Sequence, residues 1–144
     1  PLYVYSSRKY LLNFGVPLKP EDLDHHRLVT FSDKAMLPFD DMNWLLTYGT
    51  PPGVKRVPYL LINNLNGIAR AVEAGSGIAC LPLYVAKHCK DLIQILPEVD
   101  VPYVRFYFVY PLQLKDSKRI KQLWTFLSEE ARAEEAQMKK ELLL

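Results

Sequence analysis

Polar side chains that could bind a small molecule follow several of the predicted β-strands. Serine, threonine and asparagine side chains both donate and accept hydrogen bonds, and apolar side chains stand beside them. In chain order, the residues at the strand ends are Ser6, Ser7, Thr30, Phe31, Ser32, Asp33, Asn63, Asn64, Pro82, Leu83 and Tyr84. Because ligands of open α/β sheets bind beyond the carboxyl ends of the strands, we expect these residues to gather at one edge of a sheet.

Two of these positions also begin predicted helices. Ser6 or Ser7 precedes one helix and Asn64 precedes another, so free backbone N–H groups and positive dipole ends point towards the same edge. Such ends favour carboxylate or phosphate groups. A Ser or Asn at a helix start is usually only a cap, and it is their joint placement that predicts a site for a small organic molecule, anions included.

Motifs of catalysis and metal binding are absent from the sequence. There is no Gly-x-Ser-x-Gly, phosphate loop or His-Glu-x-x-His. His25 and His26 lie in a polar turn, and His88 and Cys89 together with Cys80 lack a fourth ligand at a diagnostic spacing. We therefore expect a binding module without a cofactor or a metal, and not an enzyme.

The composition is that of an ordinary globular chain. Hydrophobic residues make up 49% of the 144 residues, and the 18 basic and 16 acidic residues are interspersed, which indicates a real core and no nucleic-acid surface of its own. No apolar run reaches the ~18 residues of a membrane span. With no signal-peptide core and two cysteines predicted to be free, we expect a cytoplasmic protein.

The spacing of hydrophobic residues, together with Gly and Pro at the ends of the segments, predicts alternating strands and helices. The predicted strands are 2–5, 27–31, 57–62, 77–81, 92–96 and 104–110, with a short one at 44–47, and the predicted helices are 8–14, 20–23, 65–74, 82–88 and one from 118 into the 130s. This alternation is typical of βαβ units and an α/β fold. The run at 104–110 is the strongest β signal in the chain.

Several segments, in order and spacing, resemble the LysR-type transcriptional regulators. They are 1–7 (PLYVYSS), 10–11 (YL), 15–17 (GVP), 20–23 (PEDL), 26–29 (HRLV), 63–64 (NN), 72–82 (VEAGSGIACLP), 109–111 (VYP) and 124–127 (WTFL). The resemblance covers about residues 1–127. It implies an effector-binding domain with a fold like the type 2 periplasmic binding proteins, which is a mixed, mostly parallel sheet flanked by helices, here with a long C-terminal helix.

The resemblance also implies how the domain is organised. Residues 1–110 would form the second lobe of a two-lobed effector domain, and 111–144 would return to the first lobe as a C-terminal helix with a charged tail. The second-lobe wall of the effector site would be Ser6, Thr30, Phe31, Ser32, Asn64 and Pro82. Partners would be a small-molecule effector and further copies of the protein, while DNA would be bound only by a winged helix-turn-helix outside these residues.

Two alternatives remain beside this reading. An extracytoplasmic solute-binding lobe would share the fold, and a purely oligomerising module would share the fold without binding a ligand. The final helix bears on self-association, because an apolar stripe of Ile120, Leu123, Trp124 and Leu127 would normally pack on first-lobe strands. We expect that stripe to pack back on this lobe or on a second copy of the chain.

Overall fold

The computed structural model describes residues 1–32 and 42–142, with the backbone alone for 135 and 138–142. The chain divides into two compact units, Pro1–Val104 and Arg105–Leu144. The elements are β1 (Leu2–Ser7), α1 (Arg8–Phe14), a 3-10 turn (Pro20–His25), β2 (Val29–Phe31), a 3-10 turn (Trp44–Leu46), β3 (Leu60–Ile62), α2 (Leu65–Glu73), β4 (Ala79–Pro82), α3 (Leu83–Ala86), β5 (Leu92–Ile95), a 3-10 turn (Leu112–Leu114) and α4 (Lys118–Leu142).

Strand direction decides where a site can form in the first unit. β2 and β3 pair in parallel, and Leu28 forms a parallel bridge with Ile78 at the start of β4. β1 pairs antiparallel with both β4 and β5. Four strands therefore share one direction and β1 opposes them. They form an antiparallel sheet of order β4-β1-β5 and a parallel pair β2-β3, joined by that bridge. The expected mixed α/β fold is confirmed, but two of the three ladders are antiparallel because β1 lies between β4 and β5.

The core of this unit lies between the sheet and its helices. α2 turns Ile68, Ala69 and Val72 inward, at helical spacing, and packs against β1, β2 and β4. Val72 and Ile78 have no exposed surface. Burial of each large apolar side chain contributes about 1.5–3 kcal/mol, so this packing fixes the sheet on which the strand ends sit.

Local capping explains the helix boundaries. Ser7 accepts a 3.3 Å hydrogen bond from the backbone N–H of Tyr10, and Gly15 ends α1 with a φ of 84°, a region that favours glycine. Asn64 caps α2 by accepting a 2.7 Å bond from the N–H of Gly67. The predicted helix at 8–14 and both caps are confirmed.

Two predicted strands are wrong. The segment Trp44–Leu46 is a 3-10 turn, in which the N–H groups of Thr47 and Tyr48 both donate to the carbonyl of Trp44. Residues 104–110 do not form a strand, and the side chains of Tyr107 and Val109 are 77% and 86% exposed. β-branched and aromatic residues favour a strand only where they can pack on a half-buried sheet. No described strand pairs with this segment, so it forms none.

In the second unit, α4 begins at Lys118 as predicted and extends to Leu142. Trp124 stacks on Phe108 with ring centroids 5.7 Å apart, yet it remains 54% exposed. Leu123 and Leu127 are 44% and 42% exposed, so the apolar stripe is only partly covered. Within the described ranges, no helix combines the length and the apolar character needed to cross a bilayer.

Candidate functional site

Five of the six predicted wall residues lie at or just after the ends of β2, β3 and β4. β2, β3 and β4 run in the same direction, and the N–H of Ser32 donates a 3.0 Å hydrogen bond to the carbonyl of Ile62. The ends of β2 and β3 therefore lie side by side at one edge, next to the start of α2, and β4 ends in the same direction. We call this edge the rim, formed by Thr30, Phe31, Ser32, Asn64 and Pro82.

Ser6 is not part of the rim, and the expectation that it lies there is wrong. In the antiparallel pairing of β1 with β4, Leu2 lies opposite Pro82 and Tyr5 lies opposite Ala79. The hydroxyl of Ser6 is fully buried and donates a 3.1 Å hydrogen bond to the carbonyl of Gly77, before β4 begins. At about 3.3 Å per residue, Ser6 lies roughly 13 Å along the strand from the rim.

Because β1 runs antiparallel to β4, α1, which follows β1 directly, begins at the edge opposite to the rim. Ser7 and the N-terminus of α1 follow Ser6 at the opposite edge, so of the two helices expected to begin at the rim, α1 and α2, only α2 does so. Leu2 takes the place that was expected for Ser6. It is fully buried beside Pro82, and its N–H donates a 3.0 Å hydrogen bond to the carbonyl of Pro102.

The rim residues differ in how much of them a ligand could reach. Phe31 is 2% exposed, Thr30 is 5% exposed and Pro82 is buried. Ser32 is half-buried and Asn64 is exposed. The accessible groups of the rim are therefore the Ser32 hydroxyl and the Asn64 carboxamide.

The start of α2 provides the polar chemistry of the rim. The Asn64 side chain accepts from the N–H of Gly67 and donates a 3.0 Å hydrogen bond to the side-chain oxygen of Asn63. The carbonyl of Asn64 accepts from the N–H of Ile68 at 3.1 Å. The first-turn N–H groups ahead of Gly67 are left for water or for a ligand, and their dipole favours a negatively charged group.

Asn43 and Met42 contact the strands of the rim, and the sequence did not indicate either. The Asn43 carboxamide accepts a 3.0 Å bond from the N–H of Phe31 and donates a 3.1 Å bond to its carbonyl. The thiol of Cys80 donates to the carbonyl of Met42 at 2.7 Å, and burial raises the pKa of that thiol to about 12. An Asn before a short apolar run is typical of a cap, so no pattern predicted this pairing.

The rim residues are neutral, which suits hydrogen bonding more than acid–base chemistry. Burial raises the pKa of Tyr84, just beyond β4, so its phenol stays protonated. Over residues 1–32 and 42–142, no group of three or more His, Cys, Asp and Glu side chains could hold a metal ion. Asp33, one of the predicted strand-end residues, lies outside the described residues.

Known proteins share both the sequence pattern and the fold. An HTH-type transcriptional regulator of Haemophilus influenzae is 29% identical over 110 residues, which is 74% of this chain and 37% of that protein. The regulatory domain of CrgA, a LysR-type regulator of Neisseria meningitidis, matches with a TM-score of 0.64 at 24% identity, over 90% of this chain and 63% of that domain. A second structure of CrgA matches with a TM-score of 0.63 at 23% identity, over 90% of this chain and 44% of that one.

These matches fix the fold, and the chain spans 37% of the Haemophilus relative's length and 63% and 44% of the two CrgA chains. The fold is like that of the type 2 periplasmic binding proteins. The sequence pattern of the LysR substrate binding domain covers residues 1–132. With nearly the whole chain matched, this protein belongs to the LysR substrate-binding domain family.

Proposed function

We propose that this chain is the effector-sensing, oligomerising domain of a bacterial LysR-type transcriptional regulator, and that it binds a small organic molecule at the rim to control transcription. The observation that carries the proposal is that β2, β3 and β4 run in one direction and that the paired ends of β2 and β3 lie beside the N-terminus of α2. Open α/β folds bind their ligands at such edges. Membership of the LysR substrate-binding family supports the same reading.

The chemistry of the rim favours a molecule with one polar end and an apolar body. Ser32 and Asn64 offer neutral hydrogen-bonding groups, and the start of α2 favours a carboxylate or another anion there. The buried apolar residues Phe31 and Pro82 lie at the ends of β2 and β4, which favours an apolar body for the rest of the molecule. A small organic acid satisfies all three features.

In the proposed regulator, segments outside this chain supply the rest of the ligand site and the DNA-binding region. We propose that residues 1–110 form the second lobe and 111–144 return to the first lobe, whose other segments supply the facing half of the site. DNA would be bound by a winged helix-turn-helix outside these residues, and the signal would pass through contacts between copies of the protein. Since a transcriptional regulator works where the chromosome is, we propose that it acts in the cytoplasm.

The test uses the full regulator and a panel of small mono- and dicarboxylic acids together with their amides. We expect at least one acid to raise the melting temperature, and its amide to do so less. Asn64→Ser keeps the cap of α2 but removes the carboxamide, so it should reduce the shift. The matched control is Ser6→Ala, a change at the opposite edge, which should leave the shift unchanged. If no panel member stabilises the protein, or if Ser6→Ala abolishes the shift while Asn64→Ser does not, the proposed site is wrong.

A further inference from the structure

Backbone pairing between β2 and β4 is confined to one end of the two strands. Leu28 pairs with Ile78, and the N–H of Val29 donates a 2.8 Å hydrogen bond to the carbonyl of Ile78. Towards the rim, the described residues show no further ladder between these strands, which belong to separate sheets. The N–H and carbonyl groups of Phe31 cannot form hydrogen bonds to the backbone of β4 and must find other partners, because a buried N–H left unpaired costs about 1–3 kcal/mol.

The side chain of Asn43 takes the place of a pairing strand. A carboxamide has the donor and acceptor geometry of a peptide group, and that of Asn43 bonds to both the N–H and the carbonyl of Phe31 at 3.0 and 3.1 Å. On the β4 side, the neighbouring carbonyl of Met42 accepts from the Cys80 thiol. Residues 42 and 43 thus bond to both strands where the strands no longer pair with each other.

A buried arginine holds the loop that carries Asn43. The guanidinium of Arg56 is 6% exposed and donates to the carbonyls of Leu45, Tyr48 and Pro20 at 2.8, 2.5 and 3.0 Å. Its backbone N–H donates to the carbonyl of Leu46 at 2.8 Å. The turn that follows Asn43 is therefore tied at several points, which fixes the position of the carboxamide.

We infer that Asn43 is a positioning residue of the ligand rim: its carboxamide sets the backbone of Phe31, and through it the direction in which Ser32 leaves β2. It acts through Phe31 and need not touch the ligand. The assignment rests on the proposed function only in taking the rim as the ligand site. The position of the Phe31 backbone is measured without any ligand.

The test compares amide hydrogen exchange, resolved to single residues, in the wild-type protein and in Asn43→Leu, which has a similar size but no polar group. The Phe31 amide should exchange about tenfold faster in the variant, the equivalent of roughly 1.4 kcal/mol. The amides of Val29 and Ser32 serve as internal references, because they bond to Ile78 and Ile62 instead. Equal acceleration of all three amides would mean general destabilisation and would overturn the inference.

Asn43→Asp provides a second variant that keeps the shape and the acceptor. The Phe31 amide should stay protected in it. The carbonyl of Phe31 loses the donor from position 43 and keeps only the 3.4 Å bond from the Thr30 hydroxyl, so its ¹³C chemical shift changes. Loss of amide protection equal to that of the leucine variant would contradict the pairing. In a binding arm, the acid with the largest melting shift should bind Asn43→Leu at least fivefold more weakly than wild type, at a temperature where both are folded. If exchange is selective but no acid binds the wild type, the proposed function fails while the role of Asn43 stands.

Discussion

The hydroxyl of Ser6 donates a hydrogen bond to the carbonyl oxygen of Gly77, 71 residues later in the chain. Both residues lie at the edge of the sheet opposite to the rim, where β1 ends and β4 has not yet begun. The bond therefore fixes the end of β1 against the turn that leads into β4. It gives Ser6 a structural role in place of the ligand contact expected from the sequence.

We expect Ser6→Ala to lower the free energy of unfolding by about 1 kcal/mol, because a buried hydrogen bond is lost. Urea denaturation monitored by circular dichroism measures the change. Ser32→Ala is the matched comparison, since that side chain is half-buried and should cost less stability. A Ser6→Ala protein as stable as wild type would show that the bond contributes nothing.

A side chain at Gly77 would overlap the backbone of the neighbouring strand. A Cβ there would collide with the carbonyl oxygen of Arg27, which accepts a 2.8 Å hydrogen bond from the N–H of Ile78. Gly77→Ala should therefore destabilise the protein by about 1–3 kcal/mol, in the range of overpacking substitutions. Thermal unfolding checks this, with Ser76→Ala as the neighbouring control expected to stay close to wild type.

The guanidinium of Arg56 should be the most sensitive polar group of the first unit. Arg56→Lys keeps the charge but cannot reach the same set of carbonyls, so we expect a loss of about 2–4 kcal/mol, near the cost of breaking a buried pair. Its ionic partner Asp24 is 54% exposed, and Asp24→Asn should cost less than about 1 kcal/mol. Equal effects of the two variants in urea denaturation would show that the ion pair, and not the carbonyl contacts, holds the loop.

We expect His26 to make the stability of the fold depend on pH. The Tyr10 hydroxyl accepts a 2.8 Å bond from the N–H of Arg27 and lies at hydrogen-bond distance, 3.2 Å, from Nδ1 of His26, with the direction of that second bond set by the imidazole tautomer. Burial lowers the pKa of His26 below 6.5, His25 acts in the same direction, and Asp22 opposes the shift.

A lowered histidine pKa means that the unfolded chain binds the proton first as the pH falls. The contribution of His26 is therefore complete above pH 6.5 and is lost as the pH falls through 6.5 towards the lower pKa of the folded state. His26→Gln should flatten the change in unfolding free energy between about pH 7.5 and 5, and His25→Gln serves as the control. An unchanged slope in His26→Gln would exclude this residue as the source.

Self-association should depend on the apolar stripe of α4. Leu123 and Leu127 are more than two-fifths exposed, and exposed apolar patches commonly mark contact surfaces. We expect Leu123→Glu combined with Leu127→Glu to weaken association of this chain by at least tenfold in sedimentation velocity. Glu130→Gln, a change in the charged part of the same helix, is the control. A wild-type chain that stays monomeric at high concentration would contradict the expectation.

Local signals in the sequence predicted local structure well. The start of α1 at Ser7, its end at Gly15 and the cap of α2 at Asn64 each depend on contacts within a few residues, and all three are confirmed. The predicted strand at 92–96 also appears, as Leu92–Ile95. These features follow from side-chain and backbone chemistry that acts over one turn of the chain.

Long-range relationships could not be predicted in this way. The sequence of β1 indicates a strand but not its direction, and direction alone decides that Ser6 and Phe31 lie at opposite edges. The pairing of Asn43 with Phe31 likewise depends on a loop returning to the sheet. Residues 104–110 show the converse case, because a strong β composition gives no strand where no described partner pairs with it.

The single backbone connection between β2 and β4 affects how such a site could diversify among related proteins. Because side chains occupy the space between the two strands near the rim, a substitution at position 43 can change the spacing of the strand ends without breaking any backbone pairing of the sheet. The Leu28–Ile78 bridge and the core beneath it would stay as they are. Ligand preference could thus evolve through one loop while the stability of the domain is largely conserved.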